Sequence, residues 1–174
     1  GRQCVIPSAI LGRYARSLAD VAFEDNLERE VSRDIETFRE IFRAVPELAE
    51  AFHAPAVPRE TKENLLAALV RRYPVHPVTA NFLRVLLGHN RMRFYPQIAD
   101  AYRKAVDERR GVVEAAVTAA APLTREELAG LESRLAGVTG KQVRLEPRTD
   151  ASLLGGVVVR VGSTKPIRVD IKIV

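Results

Sequence analysis

The stretch Tyr95–Ala120, YPQIADAYRKAVDERRGVVEAAVTAA, changes its hydrophobic period halfway along. Up to Arg109 the apolar residues recur at helical spacing, with Ile98, Tyr102, Ala105 and Val106 on one face. After Gly111 the run Val112–Ala120 is rich in valine and alanine and has the length of a strand, and Pro122 follows it. This switch places a domain boundary near residue 110.

Toward the N-terminus every segment reads as helix. Pro7-Ser8 carries a start signal, with Ser8 as the expected N-cap. In the first helix, Ile10–Asn26, residues Leu11, Ala15, Leu18, Ala19 and Ala22 share one face. Ile10, Tyr14 and Val21 flank that face, and Phe23 extends the other flank. The apolar arc spans about 220°, whereas a helix lying on one core needs little more than about 100°. Such a helix is either central in a bundle or buried against both its own core and a partner. Ser17, small among Ile10, Tyr14 and Val21, would leave a shallow trough.

Asp25-Asn26 interrupts the pattern and is expected to cap the next helix. That helix has a narrower stripe through Leu27, Val31, Ile35, Phe38, Phe42 and Val45. Pro46 ends it or opens a short helix containing Leu48, Ala51 and Phe52. A fourth helix follows Pro58 through Leu65, Leu66, Leu69 and Val70, and Pro74 and Pro77 break the chain again. The fifth helix, Val78–Gly88, repeats the over-wide arc of about 220°. Val78, Thr79, Phe82, Val85 and Leu86 form its centre, continued by Ala80, Leu83 and Leu87. Gly88-His89-Asn90 supplies turn chemistry at its end.

Toward the C-terminus, Thr124 with Glu127 is a capping-box signature for a helix through Leu128, Leu131 and Leu135, closed by Gly137 and Gly140. Gln142–Glu146 alternates as a strand, and Pro147 and Asp150 are expected to turn the chain. Gly155-Gly156 leads into the strand Val157–Val161. Ile167, Val169, Ile171 and Ile173 then alternate with charged residues, as a hairpin partner would. The expected fold class is α+β in two domains: an N-terminal six-helix bundle over residues 1–110 and a small C-terminal α/β domain over residues 111–174.

Composition narrows the function classes. The single Cys4 excludes an intramolecular disulfide and a cysteine-rich zinc site. His53, His76 and His89 have no i, i+4 partner, so no metal site is expected. There is no G-x-S-x-G, no P-loop and no G-x-G-x-x-G, and the Gly155-Gly156 pair serves backbone freedom at the start of a strand. No catalytic constellation and no cofactor site emerge. No run approaches the roughly 18 apolar residues of a membrane span, and the first residues show no signal-peptide pattern, so membrane association is expected to be indirect. The net charge of +5 is unevenly spread, at −3 over residues 1–70, +6 over 71–110 and +2 over 111–174. Arg91-Met92-Arg93-Phe94-Tyr95 interleaves basic and aromatic residues, which keeps an RNA-binding helical module as the alternative. A small enzyme is a third class, opposed by the missing constellation.

In order and spacing, the chain resembles the delta subunit family of F-type ATP synthases, known in mitochondria as the oligomycin-sensitivity-conferring protein. The likeness runs through Arg13-Tyr14-Ala15, Leu18 to Ala22, Asn81-Phe82-Leu83-Arg84, Asn90-Arg91, Ile98 and Gly111. It continues in Ala121-Pro122-Leu123-Thr124 and in Asp150 to Gly162. It departs after Gly162: the family continues with an Asp-x-Ser element and a leucine-rich helix, and Ser163–Val174 carries neither. The resemblance implies a non-catalytic stator subunit, one copy per complex, at the cytoplasmic face of the cell membrane or its organellar equivalent. Its partners would be the α-subunit N-terminal helix, held between the first and fifth helices, and the peripheral-stalk b subunits, held by the C-terminal domain; no nucleic acid is expected. By position the groove falls on Tyr14, Ser17, Leu18, Val21, Val78, Phe82 and Val85. The two helices implicated are the two whose apolar arcs are too wide.

Overall fold

Pro7, and not Ser8, stands at the N-cap of the first helix, α1 (Ser8–Glu24). Its carbonyl accepts from the Ile10 amide at 3.0 Å, and the Ser8 side chain makes no cap. The computed structural model describes residues 7–162 and 167–169. The helices α2 (Glu28–Ala44), α3 (Pro46–His53), α4 (Arg59–Arg72), α5 (Pro77–Gly88) and α6 (Tyr95–Arg110) follow, with a 3₁₀ turn at Met92–Phe94 leading into α6. Pro46 occupies the first turn of α3, where its missing N–H has no helical acceptor to lose, and Val45 serves both as the end of α2 and as the start of α3.

Asparagine ends both wide-arced helices. Asn26 and Asn90 adopt positive φ, 56° and 60°, the left-handed conformation that terminates a helix. In each case the following amide reaches back five residues, Leu27 to the Ala22 carbonyl at 2.7 Å and Arg91 to that of Leu86 at 2.8 Å. These closures satisfy carbonyls that the last turn leaves unbonded. Asp25-Asn26 therefore closes α1 instead of capping α2, whose N-cap Leu27 offers no side-chain bond.

Two compact units divide the chain between Val106 and Asp107. The first buries Tyr95, Tyr102, Phe38, Phe52, Leu83 and Leu86 almost completely, together with the Leu11, Ala15, Leu18, Ala19 and Ala22 face of α1. The Tyr95 hydroxyl donates to the Ile35 carbonyl at 2.6 Å, satisfying the one polar atom of a fully buried ring.

The second unit begins with the last turn of α6. There Asp107, 7 % exposed, accepts two bonds from the Arg144 guanidinium at 2.7 and 3.2 Å. Strands β1 (Val112–Ala119), β2 (Gln142–Thr149), β3 (Val157–Val161) and β4 (Ile167–Val169) form a sheet in the order β2-β1-β3-β4. β1 runs parallel to β2, across the helix α7 (Arg125–Thr139), and antiparallel to β3, which pairs antiparallel with β4. Ala115, Val117 and Ala119 of β1, Val143 of β2 and Val157 and Val159 of β3 pack with Leu131 of α7. The Thr124–Glu127 capping box is formed, and Gly140, at φ 68°, ends α7; Gly137 lies inside the helix.

Pro147 does not turn the chain. β2 continues through it to Thr149, with Pro147 opposite Val117. An edge strand has a free side on which a missing N–H goes unfelt, and β2 is at the edge. The expected alternation through Ile171 and Ile173 lies outside the described residues.

Candidate functional site

The apolar residues of α1 and α5 divide by depth. On α1 the five-residue face is buried in the core, Ile10, Tyr14 and Phe23 are half-buried, and Ser17 and Val21 are exposed. On α5, Thr79, Ala80, Phe82, Leu83 and Leu86 are buried, Val78 and Leu87 are half-buried, and Val85 is exposed. Val21 at 39 % and Val85 at 38 % are among the few large apolar side chains of the described residues that stand open to solvent.

The seven expected groove residues therefore fall into three depths. Leu18, at 3 % exposure, and Phe82, at 8 %, are members of the protein's own core and present little surface to a partner. Tyr14 and Val78 are half-buried against that core. Ser17, Val21 and Val85 form the outward layer. Tyr14, Ser17 and Val21 follow one another at i, i+3 and i+7, a continuous strip along α1; Val78, Phe82 and Val85 do the same at i, i+4 and i+7 along α5. The Tyr14 ring meets the ring of His89 edge-on, with centroids 6.0 Å apart. His89 sits just past the end of α5, a contact that helical periodicity within α5 does not signal.

The beginning of α5 is held from outside itself. His76 is its N-cap, and the His76 Nδ1 accepts from the Val78 amide at 3.2 Å, so that this nitrogen carries no proton. Asp34, on α2, accepts from the His76 backbone amide at 2.8 Å and from the Thr79 hydroxyl at 2.9 Å through the same oxygen.

Other features were less visible in the sequence. A cavity of about 260 Å³ opens between α4 and α5, lined by Leu66, Val70 and Leu87 with Glu63 and Arg84 at its margin. In the second unit Val138 extends the Leu128–Leu131–Leu135 stripe by one turn, yet it is 85 % exposed. Leu154 is fully exposed. Period alone would bury Val138; the signal against it is its position in the final turn of α7.

The Arg91–Tyr95 segment does not offer its rings to bases. Met92 and Tyr95 are buried in the core, Phe94 is half-buried, and the Arg93 guanidinium lies over Phe94 at 4.5 Å while bonding to His53 Nε2 at 2.8 Å. Stacking recognition needs exposed aromatic faces. Among the described residues no group of three or more His, Cys, Asp or Glu side chains could hold a metal ion, and no helix is long and apolar enough to cross a membrane.

Comparison with known proteins agrees in one direction. The family described as ATP synthase delta (OSCP) subunit matches residues 10–165. An ATP synthase subunit delta of Magnetococcus marinus is 36 % identical over 156 residues, which is 90 % of this chain and 85 % of the relative. One from Myxococcus xanthus is 38 % identical over 157 residues, covering 89 % and 86 %. Among solved structures, a chain of the Toxoplasma gondii mitochondrial ATP synthase hexamer superposes with a TM-score of 0.63 at 28 % identity, over 86 % of this chain and 83 % of that one.

Proposed function

The chain belongs to the ATP synthase delta (OSCP) subunit family, and from that premise we propose that the Tyr14–Ser17–Val21 strip of α1 and the Val78–Val85 strip of α5 receive the N-terminal helix of an α subunit. The protein is a non-catalytic subunit of the peripheral stalk of F-type ATP synthase. Its work is mechanical: it keeps the catalytic head from turning with the rotor. The second unit, on this reading, holds the ends of the b subunits, and among its described residues Val138 and Leu154 are exposed large apolar side chains. The complex would sit at the cytoplasmic face of the cell membrane or its organellar equivalent, with this subunit as a peripheral component.

The observation that carries the docking assignment is the leftover apolar surface. Each of two helices already buried along one face keeps one exposed valine, and a serine beside Val21 leaves room for a guest. An amphipathic helix laid into such a surface anchors through side chains at i, i+3 or i+4 and i+7. The floor is preformed, because Leu18 and Phe82 are fixed in the core, so little ordering is required on binding.

Ser17→Asp and Val85→Asp test this, because both positions are exposed and the fold should tolerate the change. Each should weaken binding of the α N-terminal peptide by at least about 1–2 kcal/mol in calorimetric titration, through an unpaired charge buried in the complex. Unchanged affinity in both variants sinks the groove.

A further inference from the structure

α5 carries no acidic residue in its first turn, although its N-terminal amides and the positive end of its dipole favour one there. The negative charge comes instead from α2. One oxygen of Asp34 accepts both the His76 amide, at 2.8 Å, and the Thr79 hydroxyl, at 2.9 Å, across 42 and 45 residues of sequence. Thr79 is completely buried, so its hydroxyl needs this acceptor. Val78 lies between the two bonded residues, and Phe82 and Val85 follow within two turns. The far end of α5 is closed by Asn90 and met by Tyr14 at His89.

We propose that Asp34, which lies outside the docking surface, is the positioning residue for that surface: it clamps the first turn of α5 onto α2 and so fixes where Val78 and Val85 stand for an arriving helix. The inference rests on the docking assignment above, and it adds a residue on a third helix. A helix held at one end only can pivot or fray, and a surface built from two helices loses fit when either one does. The clamp removes that freedom before the guest arrives, which lowers the cost of binding.

The test uses the full chain and the N-terminal peptide of the cognate α subunit as probe, titrated at a temperature where every variant is folded. Asp34→Ala and Thr79→Val should each weaken the peptide by about fivefold or more, by the usual effect of losing a helix cap. The double variant should be no weaker than the worse single one, because both remove the same bond. Thr79→Ser and Asp34→Asn each keep the needed hydroxyl or acceptor oxygen and should restore affinity to within about twofold. Amide exchange at Val78–Ala80 should rise in Asp34→Ala. If Asp34→Ala fails to fold, Thr79→Val carries the test, since it keeps the volume and removes only the hydroxyl. A fall in melting temperature with wild-type peptide affinity in Thr79→Val and Asp34→Ala would show a merely structural bond and overturn the proposal. A wild-type protein that does not bind the peptide would instead overturn the docking assignment, and this inference with it.

Discussion

The two compact units bury different kinds of side chain. All six Phe and four Tyr lie at or before Tyr102, so residues 107–174 contain no aromatic ring. The first unit has Phe38, Phe52, Tyr95 and Tyr102 at its centre, with Phe42 against Tyr95 at 5.1 Å between centroids. The second relies on Ala115, Val117, Ala119, Val143, Val157 and Val159, aligned by strand pairing, and on Leu131 as the fully buried residue of its helix. Aromatic side chains bury about 150–250 Å² each and small aliphatic ones far less. The helical unit draws its buried area from large rings, whereas the sheet unit depends on each methyl group it hides.

Leu131→Ala should break the comparison most severely. It removes the main link between α7 and the sheet and should cost the second unit about 3 kcal/mol. Because the chain has no Trp and no Tyr beyond Tyr102, near-ultraviolet dichroism reports the first unit alone. The expected outcome is an earlier far-ultraviolet transition with the tyrosine signal unmoved. Simultaneous loss of both signals would show that the units do not melt separately.

Tyr95→Phe probes the aromatic side of the contrast. It deletes the bond to the Ile35 carbonyl and leaves that acceptor buried, which should cost about 1–2 kcal/mol in denaturant unfolding at neutral pH. Burial, above all, pushes the Tyr95 phenol well above its ordinary value; Arg39 opposes this and Glu36 and Asp34 add to it. A folded-state value above the unfolded one of about 10 means that the unfolded chain releases this proton first. The contribution is intact below about pH 10 and is lost as pH rises further. The Phe variant should be weaker at pH 7 but lose less stability per pH unit above about pH 10, by titration with urea at fixed pH.

The smallest effects belong to the helix ends that α1 and α5 share. Asn26→Ala and Asn90→Ala place a Cβ-bearing residue without a compensating side chain in the left-handed region and should each cost about 1 kcal/mol. The glycine variants should match or slightly exceed the parent in thermal unfolding, since glycine adopts positive φ freely. A greater loss for glycine than for alanine would mean that the asparagine side chains, and not the backbone conformation, end these helices.

Periodicity and capping made much of the fold legible. The switch at Gly111, the Leu128–Leu131–Leu135 stripe and the Thr124–Glu127 box depend on neighbours within a few residues, and sequence displays such neighbours directly. Pro147 misled because its setting is tertiary: it sits on an edge strand. The candidate site was legible in outline only. A wide apolar arc marks a helix that is either central in a bundle or shared with a partner, without saying which residue faces which; Leu18 and Phe82 went to the core and Val21 and Val85 to the surface. Asp34 was invisible, because nothing local links an acid on one helix to the first turn of another 42 residues later.

The border formed by β2 has a further consequence. Gln142–Thr149 has a partner on one side only, and it carries Arg144, Glu146 and Arg148 in the open together with Pro147. An approaching polypeptide would meet a missing donor and clashing charges where it needed an unbroken ladder. A second copy of this chain arriving at that edge could not carry the sheet's ladder across Pro147.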